Sequence, residues 1–252
     1  MGQKCLLVTG GTFGSGRVIA ELFACNGYEI VLTSREQSRA EAAAAEISGL
    51  YGTRTLGISL NLGNENDTVN LYEELDRKEF FPTTLVLNAA NLGMNMDFFT
   101  ASANDFMEVI STNLLGAFLV CREAAKRMRQ QKGGSIVLVG SNTAARAIKN
   151  RCAYIASKGG IVSLVKSMAV ELGRFNIRIN CLVPGALKSE RWEAQSEEQQ
   201  EIIRRRSLTG DIADNDDLAA AAWFLGTDLS KSITGTELVL DSGVGAQLVP
   251  GS

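Results

Sequence analysis

The sequence predicts one α/β domain, a doubly wound parallel sheet of about seven strands with helices on both faces. Three observations carry that expectation. Short apolar runs alternate with helical patterns along almost the whole chain. These runs are apolar throughout, as strands buried on both faces are. No Pro-rich or Ser-rich linker divides the 252 residues, whose prolines are Pro82, Pro184 and Pro250, and an apolar content of 45% suffices for one large core. The domain is expected to span 1–252.

The elements follow in order. Residues 5–9 form an unbroken apolar run, and a glycine-rich turn separates it from a helix over 14–26. A second strand over 29–33 leads into an alanine-rich helix over 36–47, alanine having the highest helix propensity. The third strand covers 55–60, its helix 64–76, and the fourth strand 84–87. Ser102-Ala103-Asn104-Asp105 has the form of a capping box and opens one long helix through 129. A fifth strand covers 135–139. The helix over 152–174 places Ile161, Leu164, Val165, Met168 and Leu172 at helical spacing. A sixth strand covers 177–182, a polar helical stretch 189–206, a further helix 214–226 and a last strand 237–240. In such a sheet, ligands bind outside the carboxyl ends of the strands near the topological switch point.

Composition excludes several function classes. A net charge of −3 and a pI near 5.3 argue against a nucleic-acid partner. Cys5, Cys25, Cys121, Cys152 and Cys181 are odd in number and contain no CxxC, so they read as reduced thiols, mostly in the core, with no metal site. The absence of histidine removes every Ser-His or Cys-His nucleophile and most transition-metal sites. Met1-Gly2-Gln3-Lys4 runs straight into a strand with no leader, and no apolar run is long enough to span a bilayer. The expectation is a soluble cytoplasmic protein. Leu248-Val249-Pro250-Gly251-Ser252 resembles a vector-derived linker and takes no part in the fold reasoning.

The unusual residues lie at strand ends. Thr9-Gly10-Gly11-Thr12-Phe13-Gly14-Ser15-Gly16 joins the first strand to the first helix. Glycines there permit a tight turn and a close backbone approach to a pyrophosphate, which the helix N-terminus stabilises. A plain tight turn is the bland alternative; the placement between strand and helix weighs against it. Past the second strand, Thr33-Ser34-Arg35 offers no carboxylate to a ribose 2′-hydroxyl, whereas Arg35 can pair with a phosphate and Ser34 can donate a hydroxyl. Tyr154 and Lys158, at i and i+4, share a helix face. A nearby ammonium favours the phenolate of a tyrosine whose free pKa is ~10, each tenfold change in proton affinity being worth about 1.4 kcal/mol. A boundary tyrosine beside a solvated lysine is the bland reading of that pair. Asn113, at a locally unfavourable mid-helix position, also asks for a role.

Together these residues resemble the classical short-chain dehydrogenase/reductase family, over essentially the whole chain from Lys4 to Gly243. Gly10, Gly14 and Gly16 match the TGxxxGxG turn, with Ser15 where isoleucine or leucine is usual. The resemblance implies a single-domain Rossmann fold whose dinucleotide meets Gly10, Thr12, Gly14, Ser15 and Gly16. Ser34-Arg35 resembles the NADP-binding version, so NADP is the expected cofactor. Asn61-Leu62 stands where the family has Asp-Val or Asp-Leu against adenine. Leu87-Asn88-Ala89-Ala90 is similar to Asn-Asn-Ala-Gly, with Asn88 and Ala89 carried over either as cofactor contacts or as a brace for the sheet. Pro184, Gly185 and Leu187 resemble the PGxxxT segment at the nicotinamide carboxamide, and Ser189 stands in its threonine position. Ser141 lies 13 residues before Tyr154, the family spacing of a catalytic serine that steadies the alkoxide. Asn113 in Thr112-Asn113-Leu114-Leu115-Gly116 matches the asparagine that holds a relay water for Lys158, and Lys158 also holds the nicotinamide ribose.

The implied activity is hydride transfer between NADP(H) and a carbonyl or secondary alcohol, with Asn113, Ser141, Tyr154 and Lys158 as the catalytic set and no metal. Two rivals are an epimerase/dehydratase of the extended branch, which resembles TGxxGxxG and carries a longer C-terminal domain, and a catalytically silent dinucleotide sensor. This chain lacks both features of the first and keeps the Tyr and Lys that such sensors often lose. Segments 91–97, 142–151 and 188–206 are expected to line the substrate pocket, the last as a lid. Arg146, Lys149, Arg151 and Arg204-Arg205-Arg206 are either ordinary solvated charge or the mark of an anionic small-molecule substrate. The resemblance also implies a homotetramer or homodimer built on the helices at 102–129 and 152–174.

Overall fold

The computed structural model describes residues 3–93 and 96–248. Met94 and Asn95 of the expected 91–97 pocket segment, and Val249 to Ser252 of the tail, lie outside the described residues. Seven parallel strands form one sheet in the order β3-β2-β1-β4-β5-β6-β7, comprising β1 (Cys5–Thr9), β2 (Glu29–Ser34), β3 (Thr55–Ser59), β4 (Thr84–Leu87), β5 (Gly134–Val139), β6 (Ile177–Pro184) and β7 (Glu237–Leu240). This is the single-domain, doubly wound Rossmann-like arrangement that the alternating pattern predicts. The order reverses between β1 and β4, so the crevice above their carboxyl ends is where a ligand fits.

The sheet divides the core in two because strand side chains alternate faces. Cys5 and Leu7 of β1 face one layer with Leu71, Tyr72, Val120, Met128, Ile161 and Val165. Leu6 and Val8 face the other with Ile19, Phe23, Ile47, Leu218 and Leu225. The first layer is roofed by α3 (Glu65–Arg77), α5 (Gly116–Gln130) and α6 (Cys152–Leu172), the second by α1 (Gly14–Cys25), α2 (Gln37–Tyr51) and α9 (Asn215–Gly226). Phe23 locks α1 to α9 by edge contacts with Tyr28 and Trp223, ring centroids 5.0 and 4.8 Å away.

Two elements differ from their sequence reading. The helix expected over 102–129 begins with its capping box, Ser102 and Asp105 exchanging bonds, as α4 (Ala103–Ile110). It then passes through a π-helical turn, Ser111–Leu115, before continuing as α5. The turn packs on the β3–α3 loop: a Cβ on Gly63 would lie 2.6 Å from the Ser111 carbonyl oxygen, and one on Gly116 2.7 Å from the Gly63 nitrogen. The stretch expected as one helix over 189–206 is two, α7 (Glu190–Glu193) and α8 (Glu197–Arg204). Ser196 restarts the second by accepting from the Gln199 N–H at 3.3 Å. No helix among the described residues is long and apolar enough to cross a membrane.

Candidate active site

The glycine turn presents backbone donors that α1 itself does not use. Phe13 precedes α1 with no side-chain cap, and the first turn holds no acidic residue, so the leading N–H groups are free for an anion. Gly16 is required by space, since a Cβ there would sit 2.1 Å from the Gly10 oxygen. Gly14 adopts φ +56° and faces open volume. Asn88, past β4, braces the turn: its Oδ1 accepts from the Ser15 hydroxyl at 3.0 Å, and Thr9 Oγ1 accepts from the backbone N–H groups of Asn88 and Ala89 at 3.0 and 3.1 Å. These residues suit a dinucleotide diphosphate. Thr12 lies in the same turn.

Arg35, just past β2, is exposed and joins no ion pair among the described residues; Ser34 accepts from the Glu36 N–H at 3.3 Å. Asn61 and Leu62 line an open groove of about 440 Å³ with Gly63, Glu108, Ser111 and Thr112. Asn61 donates its backbone N–H to Asp67 and leaves its side chain to solvent. Pro184 ends β6, and Gly185 donates to Leu240 O at 2.9 Å. A Cβ on Gly185 would meet that of Asp241 at 2.8 Å. Leu187 bridges to Ala213, and Ser189 precedes α7 without capping it.

At the carboxyl end of β5 four of the singled-out residues converge. Ser141 Oγ accepts from Thr143 N–H at 3.2 Å and Thr143 Oγ1 at 2.9 Å, which leaves its own proton to donate. Its hydroxyl is among the groups that favour the ionised form of the Tyr154 phenol. Lys158 is buried, donates to Val139 O at 2.6 Å and stands 5.6 Å from the Tyr154 ring centroid. Asn113, in the π turn, donates to Asn91 O at 2.8 Å and Ser157 Oγ at 2.9 Å, and accepts from Asn91 N–H at 2.7 Å. Ser157 in turn donates to Tyr154 O at 2.7 Å. A cavity of about 10 Å³, lined by Ala89, Asn113, Val139 and Lys158 among others, holds about the space of one water.

The electrostatics differ from the expectation that Lys158 tunes Tyr154. Burial pushes the Tyr154 phenol up, and the groups that pull it back are the Ser141 hydroxyl and the charges of Arg151 and Arg191. The Lys158 ammonium is engaged by a backbone carbonyl, and burial pulls its pKa down to about 8, opposed by Cys181. Thr143, Ser157 and Arg191 were not singled out from the sequence. Ser157, at i+3 from Tyr154, could have been found by helical spacing; nothing local marks Arg191 or Thr143.

The cationic loops also sort differently. Arg204 and Arg205 pair with Glu201, Arg204 lies 5.2 Å from the Trp192 ring centroid, and Arg146 donates to Gly245 O and Gln247 O. Arg146, Arg204 and Arg205 are thus engaged inside the chain.

Residues 11–245 match the family model described as enoyl-(acyl carrier protein) reductase. The 3-oxoacyl-[acyl-carrier-protein] reductase of Bos taurus is 33% identical over 242 residues, covering 96% of this chain and 98% of that one. D-threitol dehydrogenase of Mycolicibacterium smegmatis is 32% identical over 244 residues, 95% and 92% of the two chains. A crystal structure from Agrobacterium tumefaciens, assigned as a gluconate dehydrogenase, superposes with a TM-score of 0.92 at 28% identity, covering 98% of each chain. That of an NAD+-bound xylitol dehydrogenase does so at 0.88 and 25%, covering 95% of this chain and 98% of that one.

Proposed function

The chain belongs to the classical short-chain dehydrogenase/reductase family, oxidoreductases of alcohol and carbonyl groups that use nicotinamide dinucleotides, and on that premise we propose that it interconverts a ketone and a secondary alcohol with NADP(H) at Tyr154. The observation that carries this reading is the placement of Ser141 just past β5, with Tyr154 one helical turn from Lys158, whose buried ammonium is held at the same strand end by Val139 O. The matched relatives act, by name, on a 3-oxoacyl group, threitol, gluconate and xylitol, which have a carbonyl/alcohol pair in common.

When bound, the dinucleotide supplies or accepts the hydride. The turn at Gly10 and the leading N–H groups of α1 at Gly14 and Gly16 would hold its diphosphate, and Arg35 with Ser34 would hold the 2′-phosphate. In reduction, Ser141 donates to the carbonyl oxygen, which steadies the developing alkoxide. Tyr154 gives that oxygen its proton. Lys158, near neutral in its proton affinity, returns a proton through the small cavity it shares with Asn113. Oxidation runs the same groups backward. Segment 188–206 covers the substrate, the protein works in the cytoplasm, and its partners are copies of itself.

The test is the absorbance of the reduced nicotinamide against a panel of ketones and secondary alcohols. Turnover is expected, and Tyr154→Phe is expected to lower it at least ~100-fold with cofactor affinity retained. Turnover within a few-fold of wild type in Tyr154→Phe rejects the mechanism.

A further inference from the structure

Thr143 holds the Ser141 hydroxyl with two donors. The chain leaves β5 and reaches Ser141 in extended backbone, then enters one 3-10 turn, Asn142–Ala144. The Ala144 N–H donates to Ser141 O at 3.1 Å, and the Ala145 and Arg146 N–H groups donate to Asn142 O at 3.1 and 3.0 Å, which fixes the turn. The turn aims the Thr143 N–H at Ser141 Oγ, 3.2 Å away. The Thr143 hydroxyl reaches the same oxygen at 2.9 Å and is the donor in that contact. Branching at Cβ restricts the threonine's χ1, so the hydroxyl is held where the turn puts it.

A serine hydroxyl has one proton and two lone pairs. Thr143 fills both lone pairs of Ser141, so Ser141 has only its proton to offer a substrate. That polarity matters because the two substrates of the reaction differ in it. A ketone oxygen accepts and cannot donate. A secondary alcohol also carries a proton, which must pass to Tyr154 as the hydride leaves for the dinucleotide, while Ser141 keeps its own. A serine with a free lone pair would accept a hydrogen bond from that alcohol and hold its proton turned away from the tyrosine.

We propose that Thr143 is a positioning residue that makes Ser141 a donor only, so that Ser141 does not compete with Tyr154 for the proton of a bound alcohol. The proposal rests on the hydride-transfer reading for the roles of Ser141 and Tyr154, whereas the two bonds on Ser141 Oγ stand without it. Thr143 acts through Ser141, and its removal opens a non-productive pose to the alcohol and none to the ketone.

The test compares Thr143→Val, which keeps the branched shape and the N–H but removes the hydroxyl, with Thr143→Ser, which keeps the hydroxyl. Unchanged dinucleotide affinity in both shows the fold intact. Binding is read first, without turnover. The secondary alcohols of the panel are added to the complex with reduced dinucleotide, where no hydride can leave the alcohol, and the nicotinamide fluorescence is followed. At least one alcohol is expected to bind ~threefold or more tightly to Thr143→Val than to wild type, about what one neutral hydrogen bond contributes. Thr143→Ser is expected to match wild type. Kinetics then read the same bond. For the alcohol, Thr143→Val is expected to lower kcat and KM together by ~threefold or more, with kcat/KM within about twofold of wild type. For the ketone, both constants are expected to stay within about twofold. A threonine that only supported the loop would, on removal, raise KM for ketone and alcohol alike. That result, or no alcohol held more tightly by Thr143→Val, overturns the proposal. Tighter alcohol binding in Thr143→Val, with no turnover of any ketone or alcohol by wild type, keeps the role of Thr143 and rejects hydride transfer. Tyr154-dependent turnover, with alcohol binding unchanged in Thr143→Val, does the reverse.

Discussion

Arg35 is the residue whose proposed role is most sharply testable. It is exposed just past β2, without an ion-pair partner among the described residues, where a 2′-phosphate of about two negative charges would lie. Charge-assisted hydrogen bonds of that kind contribute roughly 1.5–3 kcal/mol each, or about ten- to a hundredfold in affinity. Fluorescence titration of Arg35→Ala is therefore expected to show weaker NADPH binding with NADH nearly unchanged. Ser34→Asp should go further and favour NADH. A wild type that prefers NADH, or an Arg35→Ala variant that loses both cofactors equally, removes Arg35 from the selectivity role. Lys158 has a linked pH signature. Burial sets its folded pKa at about 8, below an unfolded value of about 10.4. The folded chain then binds fewer protons than the unfolded one between those values, so stability rises with pH across that window. Below it, the buried ammonium destabilises the fold by roughly 3 kcal/mol, at about 1.4 kcal/mol for each tenfold loss of proton affinity. The unfolding free energy of cofactor-free wild type, measured relative to Lys158→Met, is expected to increase from pH 7 to pH 10. A difference that is flat in pH contradicts the burial argument. Tyr154 and Lys158 were legible at i and i+4, but their division of labour was not. Spacing puts two side chains on one face; it does not say that a strand-end carbonyl claims the ammonium.

Among the elements, the glycine turn was readable because Gly14 and Gly16 answer to constraints within the turn itself. Gly16 is excluded from carrying a Cβ by the Gly10 oxygen 2.1 Å away, whereas Gly14 needs only its positive φ. Gly16→Ala must open the turn, so calorimetry is expected to show a lower Tm and at least tenfold weaker dinucleotide binding. Gly14→Ala is expected to cost about 1–2 kcal/mol, from the left-handed backbone alone. Equal binding losses in the two would mean that the turn's spacing is not what holds the cofactor. The capping box at Ser102 was legible for the same local reason. The π turn at Ser111–Leu115 was not, because it depends on Gly63 and Gly116 bringing two distant segments into backbone contact. It is also what carries the Asn113 side chain to Asn91 and Ser157. The odd mid-helix asparagine was the visible trace of it.

At the scale of the molecule, apolar side chains remain exposed on the outer helices. Met107, Leu115, Phe118 and Val170 are 53%, 43%, 41% and 85% exposed, on α4, the π turn, α5 and α6. These are the helices on which an oligomer was expected, and exposed apolar side chains on them suit association. Light scattering is expected to give a homotetramer or homodimer. A 27.0 kDa species at micromolar concentration would reject association.

The sequence by itself determined the layered architecture and the order in which glycine turn, Asn113, Ser141, Tyr154 and Lys158 occur. Those depend on period, capping and turn chemistry, which act over a few residues. Tertiary structure alone decided which charges are neutralised and which converge. Lys188 finds Asp211 across the loop before α9, and Lys158 of α6 finds the Val139 carbonyl at the end of β5. Electrostatic partners are set by distance in space, and in a doubly wound sheet the loops that meet above the strand ends are far apart in the chain.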